Sequence, residues 1–337
     1  MKKKNKDNKI LSFLNENKYF FISVVIIFVL GIYKLPYYID MPGGLIKVNN
    51  RISITEENKL EGSYNLAYVS EVPATPILYV LAKILPSWDL LKKEDMTYNN
   101  MTIEEMNEFD RLLLKIGENQ AKLAAYTRAN KTTTVSDTKI KVGLIENTKT
   151  TDLKVNDIIL KVDGIDFTDV DDFKEMIQNK NVGDIITFEV LNKEDVYTRT
   201  AKIYEAEGKK VVGIYLFEDQ NITTDPECNI KTNSKEMGPS GGLMTALTIY
   251  DKLTKEDLTK GRKISGTGTI DADGTVGEIG GVKYKLAGVV KKHADIFFVP
   301  KGENYNEAVK LQKKHNYKIK IVAVETIDDA INYLRNN

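Results

Sequence analysis

A long apolar run begins at residue 19, and later segments of the chain have apolar residues at strand or helix spacing. Residues 19–33 read YFFISVVIIFVLGIY, and Lys34 follows them. Continued to Ile39 the run has 21 residues, about 31 Å of helix, which is enough to cross a bilayer. Aromatic residues at both ends, including Tyr19 and Tyr33, are typical of membrane interfaces. The pattern therefore predicts a transmembrane helix over residues 19–39.

The lysines before this run indicate the orientation of the chain. Residues 1–18 form a basic tail, and an excess of lysine on one side of a span marks the cytoplasmic side. A cleaved signal peptide is the alternative, but no small-x-small cleavage site follows the run. We therefore expect a single-pass protein of the cell membrane, with its N-terminus in the cytoplasm and the remaining domains outside.

Residues 40–130 carry predicted strands and helices but no recognisable chemistry. A proline-bounded apolar run predicts a short helix over residues 76–85, and strands are predicted over residues 45–48 and 64–72. A longer helix begins at Thr102, where Glu105 completes a capping box. Its predicted apolar face is made of Ile103, Met106, Leu113, Ile116 and Leu123. We interpret this region as a juxtamembrane spacer.

Residues 131–205 have a strand pattern interrupted by one short helix. Residues 153–164 read LKVNDIILKVDG, a strand that ends in a tight Asp-Gly turn. A helix over residues 170–178 and two further strands follow. This order resembles a bacterial PDZ domain, and the resemblance implies that a peptide adds a strand beside the helix. On that basis Phe173 and Ile177 would line a peptide groove.

Residues 206–337 alternate between strand and helix patterns, as in a domain of α/β layers. The alternation includes predicted strands over residues 264–270 and 295–299 and helices over residues 303–315 and 327–334. The predicted fold class is therefore an α+β multidomain chain with an N-terminal transmembrane helix, a PDZ-like domain and a C-terminal domain of α/β layers. The predicted domain boundaries are residues 1–18, 19–39, 40–130, 131–205 and 206–337.

One serine stands at the mouth of a predicted helix in this last domain. The stretch Gly238-Pro239-Ser240-Gly241-Gly242 precedes apolar residues at helical spacing that begin with Leu243. Free N–H groups and the positive end of the helix dipole favour negative charge there, as an acyl-transfer nucleophile requires. The alternative is that Ser240 only caps the helix.

Composition limits how such a serine could be activated. Lysine plus arginine and aspartate plus glutamate both number 48, and the chain has two histidines and one cysteine. A Ser-His-Asp triad, a cysteine-based metal cluster and a disulfide are therefore not expected. Balanced charge without a basic patch beyond the first 20 residues argues against a nucleic-acid partner. We expect no metal or other cofactor.

A neutral lysine is the remaining candidate for the base. Lys283 and Lys285 flank the apolar stripe of a predicted helix on opposite sides, so helical periodicity does not choose between them. Gly281 and Gly288 would let another backbone approach on the flank of Lys285, which mildly favours its burial. Both lysines could equally lie on the surface of an amphipathic helix.

The same motifs resemble the proteolytic domain of Lon proteases. Gly238-Pro239-Ser240-Gly241-Gly242 is similar to the nucleophile motif of that family. The segments over residues 266–270, 273–276 and 279–285 are similar to the run that carries its catalytic lysine. The resemblance implies that Ser240 is the nucleophile, that Lys285 is the base and that Thr267 positions the lysine. Gly238, Pro239 and Gly241 would support the turn.

The whole chain resembles the membrane-tethered Lon-like PDZ proteases of Gram-positive bacteria. ATP-dependent Lon proteases usually have an acidic residue where Met237 stands and alanine where Gly241 stands, which leaves open how the loop before the serine is held. No G-x-x-x-x-G-K-[ST] motif occurs in the 337 residues, so we expect no nucleotide partner. ATP-dependent relatives form hexamers, and the residues alone do not decide whether this chain forms a homo-oligomer.

These observations predict an ATP-independent Ser-Lys endopeptidase that cleaves exported peptides or unfolded protein segments outside the cytoplasmic membrane. The first alternative is a catalytically idle, membrane-anchored PDZ scaffold that binds peptides by strand addition. The second is a signal-peptidase-like enzyme, which the α/β alternation disfavours.

Overall fold

The computed structural model describes residues 13, 15–55, 57–96, 101–146, 149–166, 169–254 and 256–337. They form two compact units of mixed α/β structure. The first consists of Met1–Pro42 and Val69–Met96, and the second consists of Gly43–Tyr68 and Thr97–Asn337.

The first unit has a small core of its own. It holds α1 (Lys18–Ile32), α2 (Pro76–Ile84) and β4 (Asp89–Lys92), with parts of β1 (Tyr37–Lys47) and β3 (Ser63–Pro73). Strands β1 and β4 pair antiparallel, with Tyr37 opposite Lys92. Ile39, Ala74 and Ala82 are buried between these elements. The short helix predicted from the proline-bounded run is present as α2, which is capped by the Thr75 hydroxyl.

The predicted transmembrane helix over residues 19–39 is wrong. Helix α1 has 15 residues, about 22 Å, which is shorter than the bilayer core of about 30 Å. Pro36 disfavours helical backbone at Leu35, and Tyr37 begins a strand. Among the residues that the structure describes, no helix is both long and apolar enough to cross a membrane. The apolar run that continues past Lys34 therefore includes both the end of a helix and the start of a strand.

The second unit contains a parallel sheet covered by helices on both faces. Strand β13 (Lys263–Gly266) pairs parallel with residues 63–66 of β3 and with β14 (Ile296–Pro300), and β14 pairs parallel with β15 (Lys320–Val324). Alternate residues of β14 face opposite ways, with Phe298 in one buried cluster and Phe297 in another. The helices of this part are α5 (Gly242–Leu253), α6 (Val282–Lys291), α7 (Glu303–His315) and α8 (Ile327–Asn336).

A five-stranded antiparallel sheet forms the other part of the second unit. Its order is β11-β5-β6-β7-β8, with β5 (Thr132–Ile145), β6 (Ile158–Val162), β7 (Ile185–Asn192), β8 (Asp195–Lys202) and β11 (Ile214–Asp225). The unit also contains α4 (Val170–Gln178) and two short pairs, β9 (Tyr204–Ala206) with β10 (Lys209–Val211) and β2 (Ile52–Ile54) with β12 (Cys228–Ile230).

The structure does not support a peptide groove lined by Phe173 and Ile177. Both side chains are more than nine-tenths buried in the core of the five-stranded sheet. The ring of Phe173 packs on that of Phe188, with 6.0 Å between centroids. The apolar face of α4 is therefore occupied by its own sheet and is not presented to a peptide.

Helix α3 (Ile103–Arg128) is not a spacer but packs against helix α5. The capping box of Thr102 and Glu105 is present as predicted. The predicted face is wrong, because the buried residues of the helix are Leu112, Gly117, Ala121, Ala124, Ala125 and Tyr126. Small residues recur at helical spacing along this side and let the two helices approach closely. A prediction from the large apolar residues alone therefore gives the wrong buried face.

We predict that Ala121→Leu lowers the free energy of unfolding by about 1–3 kcal/mol, because Ala121 is fully buried on the packed side of α3. The measurement is chemical denaturation followed by circular dichroism. Thr127→Leu is the matched control, since Thr127 is exposed on the same helix, and it should stay within about 0.5 kcal/mol. Equal stabilities for the two variants would contradict this packing.

Candidate active site

Ser240 lies in the turn that leads into α5, and its position is set by the main chain around it. Gly238 has φ +80°, a backbone conformation that residues with a side chain rarely adopt. The Gly242 N–H donates to the Pro239 carbonyl at 3.1 Å and so closes the turn. Ser240 itself is half-buried.

A second segment is bound to this turn by reciprocal hydrogen bonds. The Gly268 N–H donates to the Ser240 carbonyl at 2.9 Å, and the Leu243 N–H donates to the Gly268 carbonyl at 3.1 Å. Thr267 follows the end of β13, so the parallel sheet brings it beside the turn. The serine turn and the end of β13 therefore form one rigid arrangement.

Lys285 reaches the same place from α6. Its Nζ donates to Thr267 Oγ1 at 3.0 Å, and the Thr267 hydroxyl donates to the Ser240 carbonyl at 3.1 Å. Lys285 is 4% exposed and Thr267 is fully buried. The structure thus brings together three residues that lie far apart in the sequence.

Burial lowers the pKa of Lys285 to about 8, because desolvation disfavours the charged amine. About a tenth of such amines are neutral at pH 7, whereas an ordinary lysine is almost fully charged there. A neutral lysine beside a serine turn can act as a general base.

The structure distinguishes the two lysines that periodicity left equivalent. Lys283 is only half-buried, and its amine lies 5.3 Å from the centre of the Tyr284 ring. On the flank of Lys285, a Cβ added to Gly288 would lie 3.2 Å from the backbone nitrogen of Gly44. The close backbone approach expected at Gly288 therefore occurs, and it helps to cover the Lys285 side.

The main-chain donors available for an oxyanion can be narrowed to two. The N–H groups of Gly238, Gly242 and Leu243 donate to carbonyls of the protein. Within the described residues, the N–H groups of Ser240 and Gly241 donate to no main-chain carbonyl. These two amides lie at the N-terminal end of α5, where the helix dipole favours negative charge.

Sequence reasoning missed the residues of α3 that lie behind the turn. The Gly238 N–H donates to the Asp110 carbonyl at 3.0 Å. A Cβ added to Gly117 would lie 3.4 Å from the Cβ of Pro239. Both α3 residues precede the turn by more than a hundred positions, and no local motif links them to it. The described residues also contain no group of three or more metal-ligating side chains of the His, Cys, Asp and Glu types.

Residues 211–336 match the Lon protease (S16) C-terminal proteolytic domain. They therefore correspond to a proteolytic domain of the Lon type. This match includes Ser240, Thr267 and Lys285.

Two curated relatives are similar over 94 residues. The Lon protease of Trichlorobacter lovleyi is 32% identical and that of Campylobacter concisus is 34% identical; both matches cover 28% of this chain and 11% of the relative. This chain therefore matches only a small part of those proteins.

Solved structures similar to this chain include PDZ domains of Listeria proteins. The PDZ domain of an SdrC-like protein from Listeria monocytogenes is 22% identical, with a TM-score of 0.21, and the match covers 23% of this chain and 85% of that domain. The second domain of another Listeria protein is 21% identical, with a TM-score of 0.22. That match covers 25% of this chain and 88% of that domain.

We predict that Lys285→Ala lowers kcat for cleavage of fluorescein-labelled casein by about 10²–10⁴-fold, because the general base is lost. Lys285→Arg should be nearly as inactive, since a guanidinium keeps its proton. Lys283→Ala is the matched control on the same helix and should stay within about twofold. An inactive Lys283→Ala variant with an active Lys285→Ala variant would reverse the assignment.

We also predict that kcat/KM rises with pH through an apparent pKa of about 8. The neutral amine is the reactive form, so activity grows as the proton of Lys285 is lost and levels off at higher pH. The measurement is casein cleavage between pH 6 and pH 10, with thermal unfolding recorded at each pH to verify that the protein stays folded. A flat profile across this range would exclude Lys285 as the titrating base.

Proposed function

We propose that this chain is a Ser-Lys endopeptidase that cleaves flexible peptides or unfolded protein segments without a nucleotide. The observation that supports this most strongly is the buried Lys285 amine, with its lowered pKa, joined through Thr267 to the main chain of Ser240. This arrangement occurs within a domain of the Lon proteolytic type.

In the proposed acylation step, neutral Lys285 accepts the proton of the Ser240 hydroxyl while the oxygen attacks the peptide carbonyl carbon. The carbonyl electrons move to the oxygen, and the amides of Ser240 and Gly241 stabilise the resulting oxyanion. The carbon–nitrogen bond then breaks, and the Lys285 ammonium gives its proton to the leaving amine.

Hydrolysis of the acyl-enzyme repeats the sequence with water as the nucleophile. Lys285 accepts a proton from water, the hydroxyl oxygen attacks the ester carbonyl, and the Ser240 oxygen leaves and recovers the proton. Thr267 holds the amine in place in both steps. No step transfers a phosphate, so the chemistry itself does not require a nucleotide.

Flexible substrates are proposed because the peptide bond has to reach the Ser240 turn in an extended form. The location of the domains outside the cytoplasmic membrane remains a prediction.

We predict that a fluorophosphonate probe labels the purified wild-type chain at Ser240 and that Ser240→Ala abolishes both labelling and casein cleavage. The site of labelling is identified by peptide mass spectrometry. Ser234→Ala is the matched control, since Ser234 is an exposed serine of the same loop, and it should label like the wild type. A wild-type chain that is folded but neither labels nor cleaves would instead favour a binding scaffold with an idle Lon-type domain.

A further inference from the structure

The segment that leads into the serine turn is exposed but is held at both ends. Residues 231–235 and Met237 are exposed and lie in no helix or strand. They connect β12 to Gly238, so any motion in them would reach Ser240 within a few residues. The sequence alone left open how this segment is held.

Arg51 contacts both ends of the segment. Its carbonyl accepts a hydrogen bond from the Lys231 N–H at 2.8 Å. Its guanidinium donates through both Nη atoms to the two carboxylate oxygens of Glu236. Arg51 precedes β2, whose Ile52 is paired with Ile230 of β12. Arg51, the residue next to this β pair, therefore closes the loop between residues 231 and 236.

Helix α3 supports the same loop from another side. The Thr232 hydroxyl donates to the Glu118 carboxylate, and the Gly238 N–H donates to the Asp110 carbonyl. These contacts attach the start and the end of the segment to α3. The side-chain pair of Arg51 and Glu236 is the fork that holds the segment immediately before the serine turn.

The geometry and burial of this pair favour a specific positioning role. A guanidinium and a carboxylate that meet through two hydrogen bonds have a defined mutual orientation. The side chains of Arg51 and Glu236 are 21% and 19% exposed, so water screens the pair less than an ordinary surface ion pair. Holding Glu236 fixes the chain four residues before Ser240.

We propose that Arg51 and Glu236 are positioning residues for the nucleophile turn. This inference rests on the proposed peptidase function. The pair holds Ser240 Oγ and the amides of Ser240 and Gly241 in register with a bound peptide. It acts through the loop, without touching the reacting atoms. Small displacements of a nucleophile cost large factors in rate, so the pair affects the acylation step more than substrate binding.

The test compares Arg51→Ala, Glu236→Ala and the double variant by the rate constant of Ser240 labelling and by kcat and KM for casein. Each single variant should lower the labelling rate and kcat by about tenfold or more, with KM changed by less than about threefold. The double variant should be no slower than the singles, since all three lose the same contact. The pH midpoint of cleavage should not move, because Lys285 lies on a different element.

Arg335→Ala is the matched control. Arg335 forms another forked pair, with hydrogen bonds of 2.8 and 3.3 Å to the two carboxylate oxygens of Glu256. This substitution removes a forked ion pair of the same kind from α8. It should change the rate constant of Ser240 labelling by less than about twofold. A normal labelling rate for Arg51→Ala, or independent losses that multiply in the double variant, would overturn the inference.

Two conservative variants keep the test decisive if an alanine variant does not fold. Arg51→Lys keeps the charge but loses the fork, and Glu236→Gln keeps the shape but loses the charge. Both should unfold cooperatively in thermal melts and label severalfold more slowly than the wild type. Normal labelling by both would reject the positioning role. A wild-type chain that never labels would instead reject the proposed function.

Discussion

The Lys285 amine has to remain out of water beside a hydroxyl group, and the candidate site depends on this constraint. An ammonium ion in such a place loses its hydration, so the pKa falls and the neutral form becomes accessible near neutral pH. Thr267 supplies a hydrogen-bond partner, and its position at the end of β13 is set by parallel pairing with β3 and β14. The same threonine bonds to the Ser240 carbonyl, so the base and the serine turn share one support.

Helix α3 connects this site to the five-stranded sheet. Its Phe109 packs on Phe217 of β11, and the amide of its Asn119 donates to the Gln220 carbonyl of β11 at 2.7 Å. Lys115 of α3 also pairs with the buried Asp219. On its other side the helix packs against α5 and holds the Gly238 turn. A helix with partners on both sides explains why the five-stranded sheet and the parallel sheet belong to one compact unit.

The predictions for α1, α3 and α4 that the structure contradicts have a common physical origin. The pattern of apolar residues does not show where a helix ends and a strand begins. The apolar run therefore continues through Pro36 into a strand. The pattern also undervalues small residues, so the packed side of α3, centred on Gly117 and Ala121, was missed. In α4, Phe173 and Ile177 were expected to line a peptide groove, whereas both are buried against the neighbouring sheet.

The sequence by itself determined the local elements of the site: a serine between glycine turns at a helix start, a strand that leads to Thr267, and a helix with two lysines. These are features of neighbouring residues, and local rules of capping, periodicity and turn formation specify them. Only the tertiary structure decided which lysine is buried, because both flank the apolar stripe of α6 equally and only the flank of Lys285 is covered. Only the tertiary structure could place Arg51 against Glu236, since a contact across 185 positions arises from the packing of the whole domain and leaves no local pattern.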